Sequence, residues 1–415
     1  MASEPCEAGM TKPTLTIGMI GLGPAGLAMI PYIESHGYVS LGAVCDQRVE
    51  ALAMFDGRPE VACFNEVKAL CGFDGIDAVF VATPTGMHAE HAVCALRAGK
   101  HVIVEKPMAL TLDEAELIVA TAAECGRALI VGHSHSFEPA IQLMRAAIES
   151  GRFGALRAIN AWNYTDWVYR PRLPAELRRE QGGGVVFRQA VHHADIVRFL
   201  AGGSARSVRA KVASWDGRRE TDGSYSAFLN FGKDVSATLF YSGYDHFPVA
   251  ELTFGIGENG RPARTDYAHA RRQSERVAVN EGATKHSSGL ALQMDRLAPG
   301  THPSFFGILV ASCEGADFRI GEDGVLVYTD SSRYVVPITG MPAGRAALLD
   351  ELIEAAQGLP TTHDGVWGKA NLEICCAILE SSNRDQEVKL TPSPVSAVSI
   401  SPSTKAHFDA HWQCP

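Results

Sequence analysis

No apolar run in this chain is long enough to cross a bilayer as a helix, so a helical membrane span is excluded. Positive charge is in deficit. The 37 Lys and Arg face 47 Asp and Glu, a net charge of -10 that argues against nucleic acid as a partner. The ten cysteines contain no C-x-x-C pair and read as scattered reduced thiols, mostly small core residues. There is no internal repeat. The start, M-A-S-E-P-C-E-A-G-M, lacks the basic-then-apolar pattern of a secretory signal, and the expectation is a cytoplasmic protein.

What is present is globular: 46% hydrophobic and 20% charged residues over 415, a length that favours two domains. Residues 1–13 and 392–415 read as polar tails, the second rich in Ser and Pro. Between them we expect a dinucleotide domain at 14–136 and a substrate domain at 137–391.

The chain is organised around residues 16–26. Leu15, Ile17 and Met19 alternate as a strand would, and the strand ends in Gly21-Leu22-Gly23-Pro24-Ala25-Gly26. This is G-x-G-x-x-G. Gly21 permits a tight turn, Gly23 lets a pyrophosphate approach the backbone, and Gly26 lets the next helix pack close. That helix presents free N–H groups and its positive dipole end to phosphates. A second strand, Leu41 to Cys45, ends at Asp46, the spacing at which an acid takes the ribose hydroxyls of NAD. Asp46 disfavours a 2′-phosphate, whereas Arg48 would accept one, so NAD is expected ahead of NADP by a modest margin.

Strands and helices then alternate. Ile76–Ala82 is an apolar run suited to a buried parallel strand and ends in Thr83-Pro84-Thr85. A helix from His88, the strand His101–Val104, a helix capped by Thr111 and Glu114, and the strand Ala128–Val131 follow. This is a doubly wound parallel α/β sheet, whose ligands sit at the carboxyl edge of the strands. Lys106, in Glu105-Lys106-Pro107, stands at that edge. Partial burial and nearby cations would lower its pKa and suit it to proton transfer. The plain alternative is an exposed strand-end lysine.

Together G-L-G-P-A-G, T-P-T-x-x-H and E-K-P resemble the Gfo/Idh/MocA oxidoreductase family. The resemblance implies that Gly21, Gly23, Pro24, Ala25, Gly26, Asp46, Arg48, Thr83, Pro84, His88, Glu105 and Lys106 hold the dinucleotide, and that Lys106 is catalytic. It also implies an α+β second domain with an open, mostly antiparallel sheet that forms a homo-oligomer interface. The alternation in 207–213, 225–231 and 235–241 fits such a sheet. Residues 258–300 break the pattern with a polar insertion rich in Arg and His, and helices near 344–357 and 366–382 close the domain.

The run Gly182-Gly183-Gly184 leads into a helix bearing His192 and Asp195. The resemblance makes His192 catalytic, and an imidazole suits taking a hydroxyl proton near neutrality. His193 reads as core. Many members carry an Asp four residues before the histidine; here Arg188 stands there, so the usual Lys–Asp–His trio is incomplete. A narrower likeness lies in Trp162-Asn163-Tyr164-Thr165-Asp166-Trp167-Val168-Tyr169-Arg170-Pro171-Arg172, in G-H-S-H-S-F from Gly132, and in Trp367. It resembles the family branch of phthalate 4,5-cis-dihydrodiol dehydrogenase and related carboxylated cis-dihydrodiol dehydrogenases.

That implies a small-molecule substrate whose ring lies against Tyr164 and Trp167 and whose carboxylate meets Arg170, Arg172 or Arg188. The alternative for each arginine is a solvated surface position. No metal is expected: His133 with His135, or His192 with Asp195, lacks a further ligand at metal spacing. Two other functions stay open, a sugar or cyclitol dehydrogenase and a non-catalytic dinucleotide-binding regulator. A pocket of acids and amides would mark the former.

Overall fold

The computed structural model describes residues 14–232, 234–274, 300–341, 344–392, 398 and 400–411. The expected tail 1–13 and residues 275–299 of the polar insertion lie outside them. Six strands form the first sheet: β1 (Leu15–Ile20), β2 (Val39–Cys45), β3 (Ala62–Phe64), β4 (Ala78–Val81), β5 (His101–Glu105) and β6 (Leu129–Gly132). All pair in parallel, in the order β3-β2-β1-β4-β5-β6. The order reverses between β1 and β4, and the glycine turn lies at that switch point. The helix expected after Thr111 spans Leu112–Cys125 with both bonds of its capping box.

The second sheet runs through β7 (Leu156–Tyr164), β8 (Ser207–Ala213), β9 (Ser224–Gly232), β10 (Val235–Ser242), β11 (Ile308–Cys313), β12 (Asp317–Ile320), β13 (Gly324–Tyr328), β14 (Arg333–Pro337) and β15 (Val388–Lys389). Its order is β14-β13-β12-β11-β7-β10-β9-β8-β15, and only β7 and β10 pair in parallel among the described strands. One face is buried: Ile159, Ala161, Leu229, Ala237 and Leu239 point inward, while Trp162 and Phe228 stay exposed on the other.

The chain returns to the first domain after the second sheet. Leu348, Leu349, Leu352 and Ile353 of helix Gly344–Ala356 join Ile17, Phe80, Ile103 and Ile130 in one core. Helix Gly365–Arg384 serves both sheets. Its N-terminal end follows a bridge between Asp364 and Ile130 of β6, and Ser381 accepts the backbone N–H of Ala210 on β8 at 2.8 Å. The substrate domain is therefore not confined to one side of a boundary at 136. Part of the expected C-terminal tail is also structured. Pro402–His411 is a helix with Phe408 buried under Arg152, and Asp409 pairs with Arg152 at 2.6 Å. Its apolar stripe is too sparse to stand out in a Ser- and Pro-rich sequence. No helix of the described residues is long and apolar enough to cross a membrane.

Candidate active site

The glycine turn does what its spacing requires. Gly21 has φ +95°, and a Cβ there would meet the Ala82 carbonyl oxygen at 2.7 Å. A Cβ on Gly26 would lie 2.1 Å from the Gly21 carbonyl oxygen, so only glycine lets the helix approach. At Gly23 a Cβ would face open space, and helix Pro24–Ser35 begins there with no side-chain cap. Open backbone and free helix N–H groups fit a pyrophosphate. Thr83 and Pro84 follow β4 directly beside this turn.

Asp46 is not a free acid. Its carboxylate accepts the Leu22 N–H at 2.8 Å and a fork from Arg48, whose Nε and Nη2 lie at 3.0 and 2.9 Å. Burial raises its pKa, but these bonds outweigh that and hold it below the usual carboxylate value. Arg48 also donates to the Leu22 carbonyl at 3.0 Å. His88, expected at the cofactor, is a buried tie instead. Its Nδ1 lies 2.9 Å from the Pro107 carbonyl and its Nε2 2.8 Å from that of Thr83. Burial pushes its pKa down to about 4, and a neutral ring donates to one of the two.

A cleft of about 720 Å³ starts at Pro24 and Ala25 and brings Glu105, Lys106 and His192 together. The Lys106–Pro107 peptide is cis. Lys106 Nζ donates to the Arg188 carbonyl at 3.5 Å and has no carboxylate within 4 Å among the described residues. Burial first, then the Arg188 and Arg345 charges, lower its pKa to about 8, against the opposing pull of Glu105 and Glu258. The missing family Asp thus has a physical consequence: no paired carboxylate offsets the burial of this lysine, and Glu105 and Glu258 oppose it only in part. His192 follows a π-helical turn over Val186–Ala190, a feature common at functional sites. Its ring sits edge-on to His135 at 4.5 Å and to Phe306 at 5.1 Å, and its Nδ1 has no hydrogen-bond partner among the described residues. Burial, then Lys106 and the neighbouring imidazoles, press its pKa well below the ordinary value, so it is neutral.

His193 is core, sharing a 2.7 Å hydrogen bond with the Tyr225 hydroxyl. Asp195 is fully buried. It accepts Trp367 Nε1 at 2.7 Å and Asn371 Nδ2 at 3.2 Å, with His363 Nε2 at 3.6 Å.

The expected substrate side needs correction. Trp167 is buried, with Arg172 stacked on its ring at 4.2 Å. Tyr164 shares the outer face of the second sheet with Trp162 and packs on Phe240 and Phe247. Arg170 pairs with Asp166, Arg172 with Glu176 at 3.7 Å, and Arg188 with Glu176 at 3.2 Å. None of these five side chains lines the cleft. Acids four residues away hold Arg170 and Arg172, a spacing the sequence displays, whereas the pair of Arg188 with Glu176 spans twelve residues. Residues that sequence reasoning missed line the cleft instead: Glu138, Glu258, Phe306 and Arg345. They come from four distant segments, and no motif marks them. Among the described residues no group of three or more His, Cys, Asp or Glu is placed to hold a metal ion.

The profile of an oxidoreductase family with an NAD-binding Rossmann fold matches residues 15–133, and the profile of the Gfo/Idh/MocA C-terminal domain matches residues 141–261. The chain belongs to the Gfo/Idh/MocA oxidoreductase family. As a member it is an NAD(P)-dependent oxidoreductase, which leaves the non-catalytic alternative without support. It is 37% identical over 376 residues to 1-carboxy-3-chloro-3,4-dihydroxycyclohexa-1,5-diene dehydrogenase of Comamonas testosteroni, covering 88% of this chain and 94% of that protein. It is 40% identical over 299 residues to 1,5-anhydro-D-fructose reductase of Ensifer adhaerens, covering 71% of this chain and 84% of the other. A solved dehydrogenase-type chain from Bordetella bronchiseptica RB50 superposes with a TM-score of 0.86 at 33% identity, over 91% of this chain and all of that one.

Proposed function

We propose that this Gfo/Idh/MocA oxidoreductase oxidises a carboxylated cyclohexadiene cis-diol, such as cis-4,5-dihydroxy-4,5-dihydrophthalate, to the dihydroxy-aromatic acid, with NAD ahead of NADP. The observation that carries the chemistry is the meeting of Lys106 and His192 in one cleft that opens at the glycine turn. The substrate class is supported by the activity named for the Comamonas testosteroni relative. When bound, the dinucleotide supplies the hydride acceptor. Lys106, with its pKa near 8, takes the hydroxyl proton. Neutral His192 orients that hydroxyl, since its pKa is too low for it to be the stronger base. The hydroxydienone left behind tautomerises to the aromatic diol, which draws the oxidation forward. The exposed Trp162 and Phe228 on the outer face of the second sheet suit a homo-oligomer contact.

A sugar or cyclitol substrate is the second reading, and one observation favours it. Glu105, Glu138, Glu258, Asp323, Asn259 and Gln189 line the cleft, acids and amides of the kind that bind polyols. The test is a substrate panel followed by nicotinamide absorbance, with carboxylated cis-dihydrodiols beside sugars and inositols. Turnover of polyols alone would replace the first reading by the second.

A further inference from the structure

The diol reading requires a counter-charge for the ring carboxylate, and the three arginines first considered are occupied elsewhere. Arg170 is held by Asp166, and Arg172 and Arg188 by Glu176. Arg345 is different. It lies in the first turn of helix Gly344–Ala356, half-buried, and lines the same cleft as Lys106 and His192. Among the described residues it makes no hydrogen bond or ion pair. Its charge nonetheless reaches the site, contributing to the lowered proton affinity of both Lys106 and His135.

We propose that Arg345 is the specificity-determining residue that binds the substrate's ring carboxylate. This rests on the diol reading. A guanidinium offers a planar pair of N–H donors that matches a carboxylate, and a cleft that excludes water strengthens the contact. Lys106 cannot serve both as neutral base and as counter-ion. An internal competitor for Arg345 is Glu138, which lines the same cleft and feels the Arg345 charge. Burial raises the Glu138 pKa to about 7, against hydrogen bonding from Ser304 and the Arg345 charge. Near neutrality that carboxyl is partly protonated, and the guanidinium remains available to an incoming anion. The helix carrying Arg345 is packed into the first-domain core, so the fork is held by a rigid element and not by a loop.

The test measures kcat and KM for wild type, Arg345→Lys and Arg345→Gln on a carboxylated cis-diol and on its methyl ester. Arg172→Lys, outside the cleft, serves as a control, and melting temperature and dinucleotide binding report folding. Arg345→Gln should raise KM for the acid by roughly 10- to 100-fold, the range of a lost charge-assisted hydrogen bond, and Arg345→Lys by less. KM for the ester should move little in either variant, and Arg172→Lys should leave the acid's KM near wild type. Binding of the catechol carboxylate product, followed by fluorescence, should weaken in parallel without turnover. Equal penalties on acid and ester, or none on the acid, would overturn the Arg345 assignment while leaving the diol reading in place. A wild-type enzyme that ignores carboxylated diols and oxidises inositols would remove the diol reading and this assignment with it.

Discussion

Helix Val191–Ala201 carries two buried polar clusters, and they behave in opposite ways. One faces the cleft: Lys106, His135 and His192, with no carboxylate paired to Lys106 or His192 among the described residues. The other is closed. His363 lies 3.0 Å from Glu351, 2.7 Å from the Ser136 hydroxyl and 3.6 Å from Asp195. Both histidines are buried, yet the pKa of His192 is driven far down while that of His363 is raised. Burial disfavours charge in both. At His363 the Glu351 and Asp195 carboxylates outweigh it; at His192 the Lys106 cation and the neighbouring imidazoles add to it. The lesson is that the two residues of H-x-x-D, one turn apart, divide the labour: His192 stands beside Lys106 in the cleft, and Asp195 Oδ1 is bonded to Trp367 and Asn371 within the fold.

The sharpest way to break this comparison is to remove the cleft residues. Lys106→Ala and His192→Ala should each lower kcat by roughly 10²- to 10⁴-fold, the scale of lost general acid–base catalysis. Dinucleotide binding, read by fluorescence titration, should hold. Near-wild-type turnover in both variants would mean that proton transfer is done elsewhere.

On the closed side the loss should appear as stability. Asp195→Ala leaves the Trp367 Nε1–H and an Asn371 N–H without their buried acceptor and removes one of the two carboxylates facing His363, and it should cost about 2–4 kcal/mol in urea unfolding, as unsatisfied buried polar groups do. Burial raises the Asp195 pKa, but its charged and hydrogen-bonding neighbours more than offset that, so its folded pKa is depressed. Its contribution is present above about pH 4 and lost as pH falls through the folded value. His363 has a raised folded pKa, so its contribution is complete below about pH 6.5 and lost as pH rises through the folded value. The stability gap between wild type and His363→Gln should therefore shrink on going from pH 6 to alkaline pH. A gap that widens would mean His363 is neutral in the fold.

A smaller effect separates the two clusters by pH alone. Lys106 must be neutral to accept a proton, so kcat/KM for oxidation should rise with pH and level off above about 8. Asp195→Asn should leave that inflection where it is, because Asp195 faces the closed cluster. An inflection that moves with Asp195→Asn would join the two sides into one relay.

This division explains what the sequence could and could not disclose. The glycine turn, the parallel strands and the capped helix Leu112–Cys125 are local, with the turn and the cap set by backbone geometry within a few residues, so spacing reveals them. Lys106 and His192 were legible through motifs that fix their place at a strand end and on a helix. Arg345, Glu138 and Glu258 converge from segments that share no periodicity. Arg170, Arg172 and Arg188 carried the right chemistry, but acids decide where each guanidinium points: Asp166 and Glu176 lie four residues from Arg170 and Arg172, and Glu176 lies twelve from Arg188.

The smallest expected effect concerns Asp46 and Arg48, where the expected acid stands paired with a cation. Asp46 stands where an acid favours NAD, yet both of its oxygens are engaged, one by the Leu22 N–H and Arg48, the other by Arg48. A carboxylate matched by a guanidinium repels a 2′-phosphate less than a bare one. The Arg48 side chain is 41% exposed against 10% for Asp46, so the cation, not the acid, meets solvent at this edge. A ribose diol still finds acceptors there, and NAD should be preferred by a modest factor. Arg48→Ala should strip the neutralising fork and widen the preference for NAD over NADP by roughly fivefold, about 1 kcal/mol, the upper end of an exposed ion pair's worth. Asp46→Ala should narrow it by freeing Arg48 for a phosphate. The ratio of kcat/KM with the two cofactors measures both. If Arg48→Ala instead narrows the ratio, then Arg48 binds NAD itself, and the fork on Asp46 opens when the cofactor arrives.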